Sequence, residues 1–172
     1  AENLAEITFE GYASNGIAIF VEATTDNNNR TVASIRSIFN KYGGNLGTNG
    51  SLNFLFERKG IFTLKKDVID KEDLDELEME LIDYGLEELK NIDQELIIQT
   101  SFDEYGKMQA ILDKKKWIVT NAELQRIPIE LIALKIEDAK KVMVLIDKME
   151  EDEDVNAVYH NLEITEELLN LL

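Results

Sequence analysis

The sequence predicts an α+β fold of two small two-layer α/β sandwiches of the ferredoxin-like kind, one inserted into the other. Short strand-like apolar segments alternate with helix-like segments along all 172 residues. The first third is rich in Gly and Asn and the rest in Leu, Ile, Glu and Lys, and the single proline, Pro128, marks a second boundary. We therefore expect one discontinuous domain of residues 1–60 plus 129–172 and an inserted domain of residues 61–128.

The expected strands are short and rich in Ile, Val, Leu and Phe. Gly11–Gly16 is expected to form a turn between the first two strands, and Gly60 is expected to turn the chain between the third and the fourth. In chain order, strands are expected at residues 6–10, 17–24, 52–58, 61–64, 95–100, 117–120, 122–127, 129–134 and 155–161.

Helices are expected where apolar residues recur every three or four positions after a capping residue. The polar run at residues 26–29 precedes a helix over 30–42, and Asp70 with Asp73 precedes one that ends at Tyr84. Ser101 with Glu104 fits a capping box for a helix to about residue 115. A further helix is expected over residues 136–150, and Thr165 is expected to cap a short one. The predicted buried faces are Val32, Ile35, Phe39 and Tyr42; Leu74, Leu77, Leu81 and Tyr84; and Ala139, Val142, Met143, Ile146 and Met149.

Composition excludes several classes of chemistry. The chain has no cysteine, which excludes disulfides, a thiolate nucleophile and cysteine metal sites. His160 is the single histidine, so a multi-histidine metal site is excluded, and we expect a structural role for it. We therefore predict a protein that is not an enzyme, with no catalytic residues, cofactor or metal. No apolar run is long enough to span a bilayer and no secretory signal is visible, which predicts a cytoplasmic protein without a membrane partner.

Two segments are the strongest candidates for ligand contact, and each has a simpler interpretation. The glycine-rich loop at residues 43–51 could approach phosphate through backbone N–H groups. It follows a helix and leads into a strand, however, which favours a helix stop and a turn-rich connection. Arg30, at a helix start, could bind an anion there, or it could be a surface arginine beside a simple cap.

Charge bears directly on nucleic-acid binding. The chain has 18 basic and 35 acidic residues, a formal charge of −17, and the acidic run at residues 150–154 is expected to be a solvated turn. Three consecutive lysines before Trp117 form the single basic–aromatic run, which could contact nucleic acid or complement a helix end. The candidate nucleic-acid or partner contacts are Asn27, Arg30, Arg36, Asn45, Thr48, Lys114, Lys115 and Lys116.

Four sequence motifs occur together in a characteristic order. They are FEGY at residues 9–12, TDNNNRTVA at 25–33, GGNLGTNGS at 43–51 and VNAVYHN at 155–161. In these motifs the chain resembles the YebC/PmpR family of bacterial regulators, whose mitochondrial relatives are translational activators. The resemblance implies a basic helical N-terminal domain, expected to be absent here, followed by an α+β domain that a second α+β domain interrupts.

The same resemblance implies a function for the chain as the acidic C-terminal domains of a transcriptional regulator. The expected partner is nucleic acid, either DNA or ribosomal RNA, bound mainly through the absent N-terminal domain. The acidic domains would then dock a protein partner. The alternative that the resemblance implies is a translation factor that acts on the ribosome. The sequence contains no recognition helix with base-reading Arg or Asn, so it does not choose between DNA and ribosomal RNA.

Overall fold

The computed structural model describes residues 3–69 and 73–172. Its elements confirm the predicted α+β fold, with helices packed on each of two four-stranded sheets. The strands are β1 Ala5–Tyr12, β2 Ala18–Thr25, β3 Asn45–Leu46, β4 Phe56–Lys65, β5 Leu86–Ile92, β6 Glu95–Ser101, β7 Val119–Pro128 and β8 Val155–His160. The α-helices are α1 Asn28–Lys41, α2 Leu74–Ile82, α3 Tyr105–Lys114, α4 Ile136–Glu150 and α5 Glu166–Leu169.

The chain divides into two compact units. The first contains the residues up to Glu57 together with Pro128–Leu172, and the second is Arg58–Ile127. From the printed sequence, the first unit has 7 basic and 18 acidic residues, a formal charge of −11, and the second has 11 and 17, a charge of −6. Each unit is therefore acidic in its own right.

The sheet of the first unit has the strand order β3-β1-β2-β8. β1 and β2 pair antiparallel along eight residues in unbroken register, with Phe9 opposite Val21. Side chains alternate between the two faces of a strand, so Phe9, Ile19 and Val21 point to one face, where the helices cover them. The core there includes Ile35 and Phe39 of α1 and Ala139, Val142, Leu145, Ile146 and Met149 of α4.

The opposite face of the same sheet is partly covered by the chain that leads into β4. Ala18, Phe20, Leu52 and Phe56 form a separate buried cluster there. The rings of Phe20 and Phe56 meet edge to face, with centroids 6.1 Å apart. The segment after the glycine-rich loop is therefore fixed on this sheet by packing.

The sheet of the second unit has the order β5-β6-β4-β7, and one of its faces packs on α2 and α3. Asp73 caps α2 by accepting hydrogen bonds from the N–H groups of Asp75 and Glu76. Asp70, the other half of the predicted capping pair, lies outside the described residues. The core of this unit comprises Phe62, Leu64, Leu77, Leu81, Leu96, Ile98, Met108, Ile111 and Leu112.

Gly60 does not turn the chain, contrary to expectation. It lies within β4 and pairs with Thr100 of β6. A Cβ at this position would lie 2.6 Å from both Thr100 Oγ1 and Tyr105 Cδ2. The glycine therefore permits the close approach of α3 to a continuous strand.

Three further expectations were wrong, and one strand was missed. β5 was not predicted, because its polar composition gives a weak strand pattern and its pairing with β6 supplies the order. Residues 52–55 form a short turn before β4. Ser101 does not cap α3, which begins after Glu104 without a side-chain cap. Residues 129–134 contribute one bridge, between Ile132 and Leu162, in place of a strand.

We expect residues 58–127, expressed alone, to fold. The unit has its own sheet and an apolar core in which Phe62, Leu64 and Leu96 are at most 1% exposed. A core of this size supplies no more than about 3–5 kcal/mol of net stability. Urea denaturation followed by circular dichroism should show one cooperative transition, and Leu96→Ala should abolish it. A spectrum of an unfolded chain without urea would show that the unit needs the rest of the protein.

Candidate functional site

The start of α1 contains two of the predicted contact residues, Asn27 and Arg30. The Asn27 side chain caps the helix, since its Oδ1 accepts a hydrogen bond from the Arg30 N–H at 3.1 Å. The Arg30 guanidinium donates to Asp26 Oδ1 at 3.0 Å and to Asp154 Oδ1 at 3.0 Å. These two carboxylates more than offset its single positive charge, so this helix start is a poor site for an additional anion.

Asp154 is more than a partner of Arg30. The Thr31 hydroxyl, buried under the first turn of α1, donates to Asp154 Oδ2 at 2.8 Å. This hydrogen bond, followed by the Arg30 guanidinium, lowers the pKa of Asp154 below its ordinary value. Asp154 therefore stays ionised and ties α1 to the turn before β8.

The acidic run after α4 is consequently not the solvated turn that was expected. Asp152 accepts a hydrogen bond from the Ser34 hydroxyl and, through its other oxygen, from the N–H of Asp154 at 2.9 Å. Asp152 and Asp154 are half-buried, whereas Glu151 and Glu153 are exposed. Two carboxylates of the run are therefore structural, and sequence reasoning missed them because their partners lie more than 115 residues away.

The glycine-rich loop is held by a buried carboxylate, that of Glu10 on β1. Glu10 is 2% exposed. Its Oε1 accepts from the N–H of Leu52 at 2.9 Å, and its Oε2 accepts from the N–H of Gly50. Because a protein carboxylate already occupies these donors, the phosphate-binding alternative is wrong for them. Asn45 and Thr48 are exposed on the part of the loop that precedes them.

The three lysines of the basic–aromatic run lie in the second unit and differ in environment. Lys115 forms an ion pair with Glu80, with Nζ 2.7 Å from the carboxylate, and lies 4.9 Å from the centroid of the Trp117 ring. Lys114 and Lys116 are exposed. Arg36 is exposed on α1 of the first unit. The structure thus places Asn27 beside Arg30, Asn45 near Thr48 on the loop, and the lysines in the other unit.

His160 has a structural environment at the end of β8. Its Nδ1 accepts a hydrogen bond from the N–H of Leu162 at 3.1 Å, which requires that nitrogen to be unprotonated. Burial lowers the pKa of His160. Among the residues that the structure describes, no group of three or more His, Asp or Glu side chains is placed to hold a metal ion.

The single histidine makes a pH test of this environment possible. Near pH 6 the native state binds fewer protons than the unfolded chain, because its histidine pKa lies below the ordinary value of about 6.5. The free energy of unfolding should therefore fall as the pH is lowered through about 6.5 and toward the depressed pKa. His160→Asn removes the titration but keeps an acceptor for Leu162. Urea denaturation at several pH values should show the loss in the parent and not in the variant; an equal loss in both would contradict the assignment.

Comparison with known proteins assigns the chain to a family. The family model that describes the second and third domain of TACO1/YebC proteins matches residues 4–162. The chain belongs to this TACO1/YebC family, as its four motifs predicted.

Relatives and a solved structure agree with this assignment. A probable transcriptional regulatory protein of Porphyromonas gingivalis is 46% identical over 157 residues, which cover 91% of this chain and 64% of that protein. One from Cytophaga hutchinsonii is 47% identical over 161 residues, covering 94% and 66%. The crystal structure of a conserved hypothetical protein from Aquifex aeolicus superposes with a TM-score of 0.81 at 36% identity, covering 98% of this chain and 69% of that one. The chain thus spans slightly less than two thirds of the length of the two curated relatives.

The length and composition of the helices also bear on membrane association. Within the described ranges, no helix combines the length and the apolar composition that crossing a bilayer requires.

Proposed function

We propose that this chain is the acidic, partner-docking portion of a cytoplasmic nucleic-acid-associated regulator of transcription. The observation that carries the proposal is the combination of family and charge. Relatives at 38–47% identity bear the name probable transcriptional regulatory protein, while both units of this chain are acidic. Duplex DNA repels such surfaces, since its affinity for proteins depends on clustered lysine and arginine.

The contacts of the candidate residues also indicate that this chain contributes little to nucleic-acid binding. Arg30 and Lys115 are neutralised by carboxylates of the chain itself. Arg36, Lys114 and Lys116 are exposed and are the cations we propose for local contact with phosphate, beside the polar side chains of Asn27, Asn45 and Thr48. Most of the nucleic-acid contact is then assigned to the part of the longer relatives that this chain does not match.

The proposal contains no catalytic step. The two groups that most resemble catalytic residues, Glu10 and His160, both accept hydrogen bonds from backbone N–H groups. The Glu10 carboxylate and the His160 imidazole therefore have structural roles, and the activity that we propose is binding.

A salt titration tests the proposal. Fluorescence anisotropy with labelled duplex DNA would compare this chain with the full-length Porphyromonas gingivalis relative. We expect weak binding by the chain and tighter binding by the relative, with an affinity that falls steeply with salt. Arg36→Glu, or Lys114→Glu with Lys116→Glu, should weaken the residual binding of the chain, whereas Lys140→Glu on α4 is the matched control. Tight binding by this chain alone would overturn the assignment.

Crosslinking in cells separates transcription from translation. The full-length relative would be crosslinked to nucleic acid, and the recovered fragments sequenced. Recovery of promoter DNA supports the proposal. Recovery of ribosomal RNA in its place would overturn it in favour of a translation factor acting on the ribosome.

A further inference from the structure

The edge of the first sheet at β1 is open over most of its length. β3 pairs with β1 only at Gly11 and Tyr12. Beyond that point the N–H of Gly47 donates to the backbone carbonyl of Glu10 at 2.8 Å. Backbone groups two residues apart on a strand point the same way, so those of Glu6 and Thr8 also face this edge. In the part of the chain that the structure describes, no strand pairs with them.

This edge has few of the devices that usually protect an edge strand. β1 contains no proline, and its register with β2 has no bulge. Glu6 is the single charged side chain of the open stretch, residues 5–9. The other edge of the sheet is less regular, because the pairing of β8 with β2 shifts between Glu22 and Ala23. β1 therefore presents a regular template for one more strand.

An apolar cleft lies beside the open edge. It has a volume of about 260 Å³ and is lined by β1, by the first turns of α1 and by the loop after β3. Its apolar lining is Ile7, Phe9, Val32 and Leu46, and Asn28 and Asn49 contribute amides. Ile7 and Phe9 lie on the helix-covered face of the sheet. A strand added at the edge would direct alternate side chains to that face, where the cleft would receive a large apolar one.

The far end of the glycine-rich loop turns away from this edge and is held by Glu10. Glu10 and Leu52 lie on the face opposite the helices, where the Glu10 carboxylate accepts from the N–H groups of Gly50 and Leu52. These hydrogen bonds hold residues 50–52 on that face, whereas Leu46, Gly47 and Asn49 line the cleft. The N–H groups of Gly50 and Leu52 are therefore occupied by Glu10, and the earlier part of the loop forms one wall of the cleft.

The charge around the cleft indicates which kind of ligand would bind at the open edge. The residues that line the cleft are uncharged, which gives no attraction for phosphate. Around them the first unit has a formal charge of −11, and Arg30 is neutralised by Asp26 and Asp154. A second copy of the chain has the same formal charge of −17 and would be repelled. The complementary ligand is a basic extended peptide.

We propose that the open edge of β1 and the adjacent cleft bind an extended segment of a partner protein as an additional β-strand, with one large apolar side chain in the cleft and lysine or arginine on either side. This inference deepens the proposed function, since it locates the partner-docking surface. Its test uses no nucleic acid, so either proposal can fail without the other.

The experiment uses the whole chain and a fluorescein-labelled peptide of sequence KVKLKVK. We expect saturable binding by anisotropy, with NMR signals of the Glu6 and Thr8 amides shifting and their hydrogen exchange slowing on addition of peptide. A peptide of the same sequence, N-methylated at alternate amides, keeps its charge but cannot form the strand hydrogen bonds, and it should bind about tenfold more weakly. Equal binding of the two peptides would overturn the proposal, because charge alone would then explain the affinity.

Variants of the chain test the same geometry from the protein side. Thr8→Pro removes an N–H that faces the open edge and leaves the ladder with β2 intact, so binding should weaken about tenfold. Thr8→Val, which keeps the N–H, is its control.

Val32→Glu should weaken binding by placing a charge in the cleft, whereas Ala33→Glu, exposed on the next position of α1, should not. Urea denaturation of each variant verifies folding. Unchanged peptide binding in folded Thr8→Pro and Val32→Glu would overturn the proposal. It would also be overturned if, without peptide, the hydrogen-exchange protection of the β1 amides rose with protein concentration, because the edge would then pair with a second copy of the chain.

Discussion

Phe39→Ala is expected to lower the free energy of unfolding of the first unit by about 3–5 kcal/mol, because a buried phenylalanine loses both transfer free energy and packing. Phe39 is 0% exposed at the centre of that core. A Cβ at Gly11 would come within 2.8 Å of its ring, and one at Gly44 within 3.0 Å. Two backbone segments therefore close on this ring, which leaves little freedom for collapse into the space that alanine would create.

Urea denaturation checks this result. Asn40→Ala, at the exposed neighbouring position of α1, is the matched control and should change the free energy of unfolding by no more than about 0.5 kcal/mol. If the midpoint of Phe39→Ala equalled that of the parent, the assignment of Phe39 to the core would be contradicted.

Glu10→Ala is expected to destabilise the first unit by about 2–4 kcal/mol. The substitution removes the acceptor for the N–H groups of Gly50 and Leu52, and hydrogen bonds to a charged acceptor are among the stronger ones. The glycine-rich loop should lose its position on the sheet at the same time. Faster hydrogen exchange at the amides of Gly50 and Leu52, together with a lower denaturation midpoint, would verify both effects.

Two variants separate the loss of the carboxylate from a general effect on β1. Glu6→Ala removes an exposed carboxylate from the same face of the strand and should be nearly neutral. Glu10→Gln keeps one acceptor oxygen but directs an NH2 group toward a backbone donor, so its loss of stability should be intermediate. A Glu10→Ala protein as stable as the parent would show that the loop does not depend on this side chain.

The loop motif GGNLGTNGS also has a physical explanation in this structure. GGNLGTNGS begins with Gly43 at φ +84°, which ends α1 in the left-handed region. Gly44 permits close approach, since a Cβ there would lie 2.5 Å from the Tyr12 carbonyl oxygen. FEGY supplies Glu10, the acceptor for the far end of the loop. The two motifs are thus parts of one arrangement, in which β1 fixes the loop beside its own open edge.

The sequence by itself determined the features that depend on local patterns. The spacing of Ile35 and Phe39 predicted the buried face of α1, and the periodicity over residues 136–150 predicted α4 with the bounds that the structure shows. The capping roles of Asp73 and Thr165 were also visible, because a cap and the N–H groups that it accepts from lie within a few residues of each other. The motifs predicted the family that the comparison then showed.

Only the tertiary structure decided the features that join distant parts of the chain. β5 is a strand because β6 pairs with it. Gly60 continues β4 because it pairs with Thr100, and its missing side chain leaves room for Thr100 and Tyr105. Asp152 and Asp154 looked like part of a solvated acidic run, yet their partners on α1 lie more than 115 residues earlier. In the sequence, Glu10 looked like any other carboxylate of an acidic chain. Only the structure shows that the N–H groups of Gly50 and Leu52 donate to it. In each case the deciding contact is long-range. A local pattern of residue types contains no information about which distant group will make that contact.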